Sequence, residues 1–255
     1  MTYLQTIILS LIEGLTEFLP ISSTGHLILA QKILGITTTE FTKSFNIIIQ
    51  LSAILAVVVF FRQKILNNRS LWFKAFIAFL PTGILGFTLY RLVKVYFLDN
   101  VLLTVAALFI GGLVLLLVDH SAKINQGHLT IDKLKKSSLL SIGLFQSLSM
   151  IPGVSRSAAS IVGGLTNGLS RVEAVEFSFL LAIPTMAAAT GYDLLKAGLS
   201  FSPHEYNLLL LGSVVAFFSA LAAIKSFTLY VSKHNFKIFA IYRILLAITV
   251  WIVLK

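Results

Sequence analysis

The sequence predicts an all-α polytopic membrane protein built as an inverted repeat, in which each half holds a re-entrant broken-helix hairpin followed by three transmembrane helices. Three observations support this prediction. Hydrophobic side chains make up 57% of the 255 residues and charged ones only 12%, whereas soluble domains carry about 25% charged residues. Two long apolar regions are each interrupted near the middle by a proline. The same order of elements then occurs twice along the chain.

Six further runs are apolar enough and long enough to cross a bilayer, since a spanning helix needs about 20 apolar residues. They cover residues 41–61, 70–90, 101–118, 172–195, 206–228 and 238–254. The first basic residue is Lys32, so no positively charged segment precedes the first apolar stretch as it would in a cleavable signal peptide. We therefore expect the mature chain to begin at Met1.

Residues 2–34 and 139–167 are each predicted to form two half-helices that enter the membrane and return to the same side. Pro20 breaks the first region and Pro152 the second, and serine follows within three residues of each. Proline removes a backbone donor and disfavours helix in the preceding residue, while serine is a good N-cap for a new helix. Such broken backbone is tolerated at membrane depth only where protein or a wet cavity surrounds it. The alternative is an ordinary proline-kinked span in each place.

The two halves of the chain resemble each other at one fixed offset. A shift of 132 residues pairs Pro20 with Pro152, Ser23 with Ser155 and Phe45 with Phe177. Each unit contains a returning hairpin and three crossings, an odd number, so the second unit is expected to lie upside down relative to the first. We assign residues 1–118 to the first repeat, 119–136 to a polar cytoplasmic linker and 137–255 to the second repeat.

The basic residues predict the orientation of the chain. Loops around Arg62, Lys133, Arg171 and Lys233 share one face in this topology and carry most of the Lys and Arg residues. By the positive-inside rule that face is cytoplasmic and both termini lie outside. The net charge of +10 therefore reflects loops that meet anionic headgroups, and nucleic acid is not implied. The absence of cysteine excludes disulfides, thiolate metal sites and cysteine nucleophiles.

Two acidic residues lie inside the first half-helix. Glu13 and Glu17 are one helical turn apart, so both carboxylates are on one face. Ionisable groups at this depth cost about 2.5–3.5 kcal/mol each on insertion scales and usually face a functional cavity. The pair could share a proton, bind a hard divalent cation such as Mg²⁺ or Ca²⁺, or act as base and metal ligand together. The alternative is a carboxylate pair satisfied by neighbouring hydroxyl groups.

Hydroxyl groups and free backbone N–H groups gather where each second half-helix begins, at the positive end of its dipole. In the first hairpin they belong to the candidate substrate-binding residues Ser22, Thr24 and Gly25, with Ser23 and His26 as candidate catalytic residues. In the second they belong to Gly153, Ser155 and Ser157, which flank the permanently charged Arg156. Two such termini that converge from opposite halves make a site for a multiply charged anion, and phosphate fits best. The alternative for Arg156 is a salt bridge to Glu13 or Glu17 that locks the two hairpins together.

The nucleophile is left open among three groups. We favour Ser23, with Glu17 or His26 as the base that removes its proton. His26 could instead attack directly, or a water bound to a metal at Glu13 and Glu17 could do so. Arg243 lies in the middle of an apolar run with no motif around it, so we expect a structural or interfacial role there. The glycine pair at 111–112 is expected to permit close helix packing.

Two segments resemble the signature motifs of the bacterial undecaprenyl-diphosphate phosphatases, also called bacitracin-resistance proteins. They are Glu13-Gly14-Leu15-Thr16-Glu17-Phe18-Leu19-Pro20-Ile21-Ser22-Ser23-Thr24-Gly25-His26 and Pro152-Gly153-Val154-Ser155-Arg156-Ser157. The resemblance covers nearly the full chain. One difference is Ala158, where the family usually has glycine, a small-for-small change that we expect to be tolerated.

The resemblance implies hydrolysis of undecaprenyl diphosphate to undecaprenyl phosphate, the lipid carrier used in peptidoglycan synthesis. It also implies a divalent-cation requirement, a bacterial inner-membrane location and an active site reached from the outer face. It assigns Glu13, Glu17, Ser23, His26 and Arg156 to that site. An inverted-repeat transporter or flippase of an anion or lipid phosphate is the alternative function, because broken helices at the midplane are also a transporter architecture. Membrane lipids are the other expected partners, and a homodimer is left open.

Overall fold

The computed structural model describes residues 1–97, 100–121, 127–197 and 201–254. Within them the chain forms eleven α-helices and no named strand; residues 122–126 of the predicted linker lie outside the described part. The helices are α1 (Tyr3–Thr16), α2 (Ser23–Ile33), α3 (Glu40–Phe60), α4 (Arg62–Asn67), α5 (Arg69–Tyr96), α6 (Val101–His120), α7 (Lys136–Ser147), α8 (Arg156–Thr166), α9 (Arg171–Ala197), α10 (Pro203–Val231) and α11 (Lys237–Leu254). The predicted all-α class is confirmed.

Five of the described helices are long and apolar enough to cross a membrane. These spans are Glu40–Phe60, Arg69–Leu89, Val101–His120, Arg171–Tyr192 and Pro203–Val231. They carry large apolar side chains on their outer surface, such as Phe87, which is 76% exposed, and surfaces of this kind mark contact with lipid. The chain is therefore a multi-pass membrane protein. The sixth predicted span forms the 18-residue helix α11, and its crossing of the membrane stays a prediction.

Both predicted breaks are present. Helix α1 ends at Thr16 and α2 begins at Ser23; α7 ends at Ser147 and α8 begins at Arg156. The residues that cap the second half-helices, Ser22 and Ser155, have φ of 69° and 73°, a region that non-glycine residues rarely adopt. Each such residue costs about 1–3 kcal/mol and persists only where the surrounding structure enforces it. The breaks are therefore held by tertiary contacts as well as by proline.

The helices pack in pairs that correspond between the two halves of the chain. Helix α1 packs on α10 and α7 on α5; α3 packs on α10 and α9 on α5. The half-helices α1 and α2 contact each other, as do α7 and α8, and the third helices α6 and α11 pack together. This pattern is the one that a repeated arrangement of helices would give, and the repeat itself stays a prediction. The inverted orientation of the repeat in a membrane stays a prediction.

Side-chain contacts join different helices and loops at two opposite ends of the bundle. At one end Lys64 forms an ion pair with Glu176, and Asp119 accepts a hydrogen bond from the backbone N–H of Phe236 at 3.1 Å. At the other end the ring of Tyr3 meets His204 edge-on, with ring centroids 5.5 Å apart. The two broken regions lie between these ends, where α2 and α8 begin in the interior of the bundle.

Candidate active site

The first break brings a carboxylate and a hydroxyl group together. Glu17 caps the C-terminus of α1, and the chain then turns so that Ser23 becomes the first residue of α2. The hydroxyl group of Ser23 donates to Oε2 of Glu17 at 2.6 Å, and both side chains are buried. A short hydrogen bond to an ionised acceptor is strong. This pair is the arrangement that an activated hydroxyl nucleophile requires.

The second break supplies a guanidinium to the same place. Nη2 of Arg156 donates to Oε1 of Glu17 at 3.1 Å, and Nη1 donates to the carbonyl oxygen of Ser178 at 2.9 Å. The Nε–H group has no acceptor among the described residues. The salt bridge considered for Arg156 is therefore present, and it joins the two breaks. One donor of the guanidinium is still available.

Two further contacts fix the breaks against each other. The hydroxyl group of Ser157 donates to the carbonyl oxygen of Phe18 at 2.7 Å. The Phe18 ring lies beneath the Arg156 guanidinium, 5.6 Å from Cζ to the ring centroid, and packs edge-on against Phe179. Phe18 and Phe179 are fully buried, so an apolar aromatic floor lies beneath the charged groups.

A cavity of about 140 Å³ lies between the starts of the two second half-helices. Seven predicted site residues line it, namely Glu17, Ser22, Ser23, Thr24, Gly153, Ser155 and Arg156. Sequence reasoning missed Gln50 of α3, Ser149 before the second break and Met186 of α9, which also line it. Gln50 is an amide in the interior of a predicted span, with apolar residues on both sides of it, and that signal could have marked it. The cavity therefore combines hydroxyls, an amide, a carboxylate and a guanidinium.

Four predicted site residues lie outside the lining of this cavity: Glu13, Gly25, His26 and Ser157. Gly25 packs against Leu108, and a Cβ atom there would lie 3.1 Å from Leu108 Cδ1. Nδ1 of His26 donates to the carbonyl oxygen of Ser22 at 2.8 Å, which leaves Nε2 to accept from the hydroxyl group of Tyr242 at 2.7 Å. The structure therefore pairs Ser23 with Glu17 and His26 with Tyr242. The roles assigned to these four residues stay predictions.

Glu13 is a buried acid beside the cavity. Its side chain is 0% exposed, its carboxyl group faces that of Glu17, and neither of its oxygens has a hydrogen-bond donor among the described residues. Burying an ionised carboxylate without a partner is costly, so such a group needs a cation or a proton. No cluster of three or more His, Asp or Glu residues is found in the described part of the chain. Any cation here must draw other ligands from substrate or water.

A larger groove of about 390 Å³ on α5 lacks this chemistry. It is lined by Phe79, Leu80, Gly83, Ile84, Phe87 and Thr88 and holds no ionisable group. Phe87 and Ile84 are largely exposed on the outer surface of the bundle. The polar cavity between the breaks is therefore the candidate active site.

Comparison with known proteins identifies the family of this site. The family described as bacitracin resistance protein BacA matches residues 6–249, a segment that contains both breaks. The chain belongs to this family. Family membership confirms the resemblance carried by the two motifs around Pro20 and Pro152.

The curated relatives agree with the family match over nearly their full length. The chain is 47% identical to a protein of Aquifex aeolicus over 97% of each chain, and 49% identical to one of Wolinella succinogenes over 97% of this chain and 96% of the relative. It is 46% identical to a protein of Bdellovibrio bacteriovorus over 100% of this chain and 97% of the relative. Each of these three relatives is named undecaprenyl-diphosphatase.

Proposed function

We propose that the protein is an undecaprenyl-diphosphatase, which hydrolyses undecaprenyl diphosphate to undecaprenyl phosphate and inorganic phosphate. The reaction recycles the lipid carrier for cell-wall synthesis and confers resistance to bacitracin. The observation that carries the proposal is the Ser23–Glu17–Arg156 constellation at a polar cavity inside a membrane protein. The names of its relatives, at 46–49% identity over nearly the full chain, support the substrate.

The cavity is suited to the diphosphate group. The first-turn N–H groups of a helix have no intrahelical acceptor and favour negative charge, and α2 and α8 both begin at the cavity wall. Arg156 adds a full positive charge, and the hydroxyls of Ser22, Thr24 and Ser155 add neutral donors. The isoprenoid tail then extends among lipids. A polar cavity that holds a guanidinium next to lipid therefore matches a substrate with one charged end and one long apolar end.

The short hydrogen bond supports Ser23 as nucleophile and Glu17 as its base. As Ser23 Oγ attacks the terminal phosphorus, its proton passes to Glu17, and the bond from that phosphorus to the bridging oxygen breaks. Undecaprenyl phosphate leaves with the bonding electrons and takes the proton from Glu17. Water then attacks the phosphoserine with Glu17 again accepting the proton, and Ser23 recovers its hydrogen as phosphate departs.

Arg156 and His26 have separate roles in this scheme. Arg156 neutralises charge that develops on the phosphoryl oxygens, and Glu17 and Ser178 hold its guanidinium in place. Both nitrogens of His26 are already engaged, by Ser22 and by Tyr242. His26 therefore suits a role that stabilises the start of α2 better than one that removes the Ser23 proton.

We further propose that Glu13 and Glu17 hold a divalent cation, Mg²⁺ or Ca²⁺. The residues fit it, because Glu13 is a buried carboxylate without a donor and Mg²⁺ is commonly held by one or two carboxylates together with substrate phosphates. When bound, the cation supplies positive charge against the diphosphate. The inner membrane and an opening of the site to the outer face are part of the same proposal.

Phosphate release tests the proposed function. Purified protein in detergent should liberate inorganic phosphate from undecaprenyl diphosphate in the presence of Mg²⁺ or Ca²⁺. A transporter or flippase would move its ligand without releasing phosphate. If correctly folded protein releases no inorganic phosphate, the proposal is contradicted. Ser23→Ala should abolish this release, and Ser52→Ala is its matched control, because Ser52 is also a buried serine but donates only to the carbonyl oxygen of Ile48. It should release phosphate at the wild-type rate.

A further inference from the structure

Arg243 is a buried arginine that the proposed reaction does not use. It lies in the middle of α11 and is 0% exposed. No ion pair to it is found in the described part of the chain. An unpaired buried cation is expensive, so other contacts must compensate for the burial of this guanidinium.

Backbone carbonyl groups provide that compensation. An arginine side chain has five N–H donors, and Arg243 directs all of them to carbonyl oxygens. Nε contacts Leu108 at 3.4 Å, Nη1 contacts Pro20 at 3.1 Å and Val154 at 3.0 Å, and Nη2 contacts Ala107 at 3.2 Å and Gly153 at 2.9 Å.

These acceptors belong to three separate segments of the chain. The Pro20 carbonyl is in the first break, three residues before Ser23. The carbonyls of Gly153 and Val154 are in the second break, just before Arg156. The other two acceptors are on α6. One side chain therefore ties both breaks to each other and to the frame of spanning helices.

The contacts also determine which backbone groups face the cavity. Broken backbone inside a membrane needs internal partners for its carbonyl groups. Arg243 binds carbonyls of Pro20, Gly153 and Val154, so these oxygens point at the guanidinium. Their partial negative charge is thereby held away from the place where a diphosphate would bind.

We infer that Arg243 is a positioning residue for hydrolysis, which fixes the separation of Ser23 and Arg156 by binding the backbone of both breaks. The inference rests on the proposed function, because it concerns the geometry of that reaction. Arg243 itself does not line the cavity. Its effect on turnover is therefore exerted through the two breaks.

Gly111 of α6 supplies the space that the guanidinium occupies. A Cβ atom at Gly111 would lie 2.0 Å from Nη2 and 2.7 Å from Cζ of Arg243. Gly111 and Arg243 are also 132 residues apart, the same offset that pairs Pro20 with Pro152. One half of the chain thus provides the arginine and the other half the gap that admits it.

Arg243→Lys tests the inference directly. An ammonium group has three donors and no planar fork, so it cannot satisfy five carbonyls in these positions. We expect kcat per folded molecule to fall about 100-fold, the cost typical of a displacement of about 1 Å at a reacting centre. KM should change much less, because the cavity keeps its own polar side chains. Folded protein is quantified by gel filtration and thermal melting.

Gly111→Ala provides a second variant that leaves the arginine in place. Its methyl group should displace the guanidinium and lower kcat per folded molecule as Arg243→Lys does. Gly112→Ala is the matched control, since a Cβ atom there would meet Ile244 Cγ1 at 2.8 Å and the Ala240 carbonyl at 2.9 Å, and would touch Arg243 only at its Cβ, at an ordinary van der Waals distance of 3.4 Å, and not at the guanidinium. It should crowd the same helix pair and lower the melting temperature, with kcat per folded molecule near the wild-type value.

The double variant separates positioning from general destabilisation. If Gly111→Ala acts by displacing the guanidinium, adding it to Arg243→Lys should lower kcat by less than the product of the two single effects. Loss of activity only in proportion to lost folded protein, in both single variants, would make Arg243 a purely stabilising residue and overturn the inference. If the wild-type protein releases no phosphate, the proposed function itself is wrong. If the wild type is active and both variants are equally active per folded molecule, only the inference about Arg243 is wrong.

Discussion

Nη2 of Arg156 lies 3.1 Å from Oε1 of Glu17, a residue 139 positions earlier, and the two side chains are only 9% and 6% exposed. The contact joins two breaks that lie far apart in the sequence. It also leaves Glu17 with one oxygen for Arg156 and the other for Ser23. The Glu17 carboxylate therefore orients both Ser23, the proposed nucleophile, and Arg156, the side chain proposed to bind phosphate.

Replacement of Arg156 by lysine tests the need for a planar fork. Arg156→Lys keeps the positive charge but cannot contact Glu17, Ser178 and a phosphoryl oxygen in the same plane. We expect kcat for phosphate release to fall by about 10²–10³, the loss typical of removing one donor to a developing oxyanion, with the protein still folded. Arg171→Lys at the loop end should retain wild-type turnover. Near wild-type activity of Arg156→Lys, with aggregation of Arg156→Ala, would identify the residue as an interhelical lock.

Replacement of Ser23 by alanine tests the nucleophile. Ser23→Ala removes the attacking oxygen but leaves the cavity and Arg156 in place, so turnover should be abolished while a non-hydrolysable diphosphate analogue still binds. Rapid quenching of the wild type should trap a phosphorylated Ser23. A loss of activity smaller than about 100-fold, below the roughly 10²–10⁴-fold range of acid–base assistance alone, would mean that Ser23 only binds phosphate and that His26 or water attacks.

Glu13→Gln tests the proposed cation. A chelator should abolish phosphate release by the wild type, and added Mg²⁺ or Ca²⁺ should restore it. Because the amide is neutral and a weaker ligand, Glu13→Gln should need at least about tenfold more cation for half-maximal activity. Glu40→Gln, at an exposed helix terminus, should keep the wild-type requirement. An unchanged cation titration for Glu13→Gln would argue that the carboxylate is buried as a proton-sharing partner of Glu17.

Gln50→Ala tests the cavity residue that sequence reasoning missed. If the amide donates to the diphosphate, its loss should raise KM about tenfold or more, since a hydrogen bond to a charged group contributes about 1.5–3 kcal/mol. Asn46→Ala is the control, because Asn46 lies one turn away on α3 and bonds Gln31 instead. An unchanged KM would limit Gln50 to shaping the wall of the cavity.

Cysteine scanning tests the predicted topology, and the chain offers a background without cysteine. An impermeant thiol reagent applied to intact cells should label a cysteine at Thr38 and spare one at Gln63, both of which are exposed. The opposite pattern would invert the assignment of the outer and cytoplasmic faces. Labelling of both positions from one side would contradict the crossing of α3 between them.

The positions of the breaks could be predicted from sequence because local signals specify them. Pro20 and Pro152 lie in the turns between the half-helices, where helix is disfavoured, and Ser22 and Ser155 cap the half-helices that follow. The apolar runs likewise specify the spans, since hydropathy over about 20 residues decides whether a helix can enter lipid. Membrane class, helix order and seven residues of the cavity wall were therefore determined by the sequence alone.

Only the tertiary structure decided which side chains meet. Ser23 and His26 are three residues apart, yet one contacts Glu17 and the other contacts Tyr242, 216 residues away. Nothing local to Arg243 indicates that it binds both breaks, because its five acceptors come from segments far apart in sequence. Such contacts depend on how α2, α8 and α11 are placed and rotated against one another. That placement is a property of packing among all the helices, which no single segment encodes.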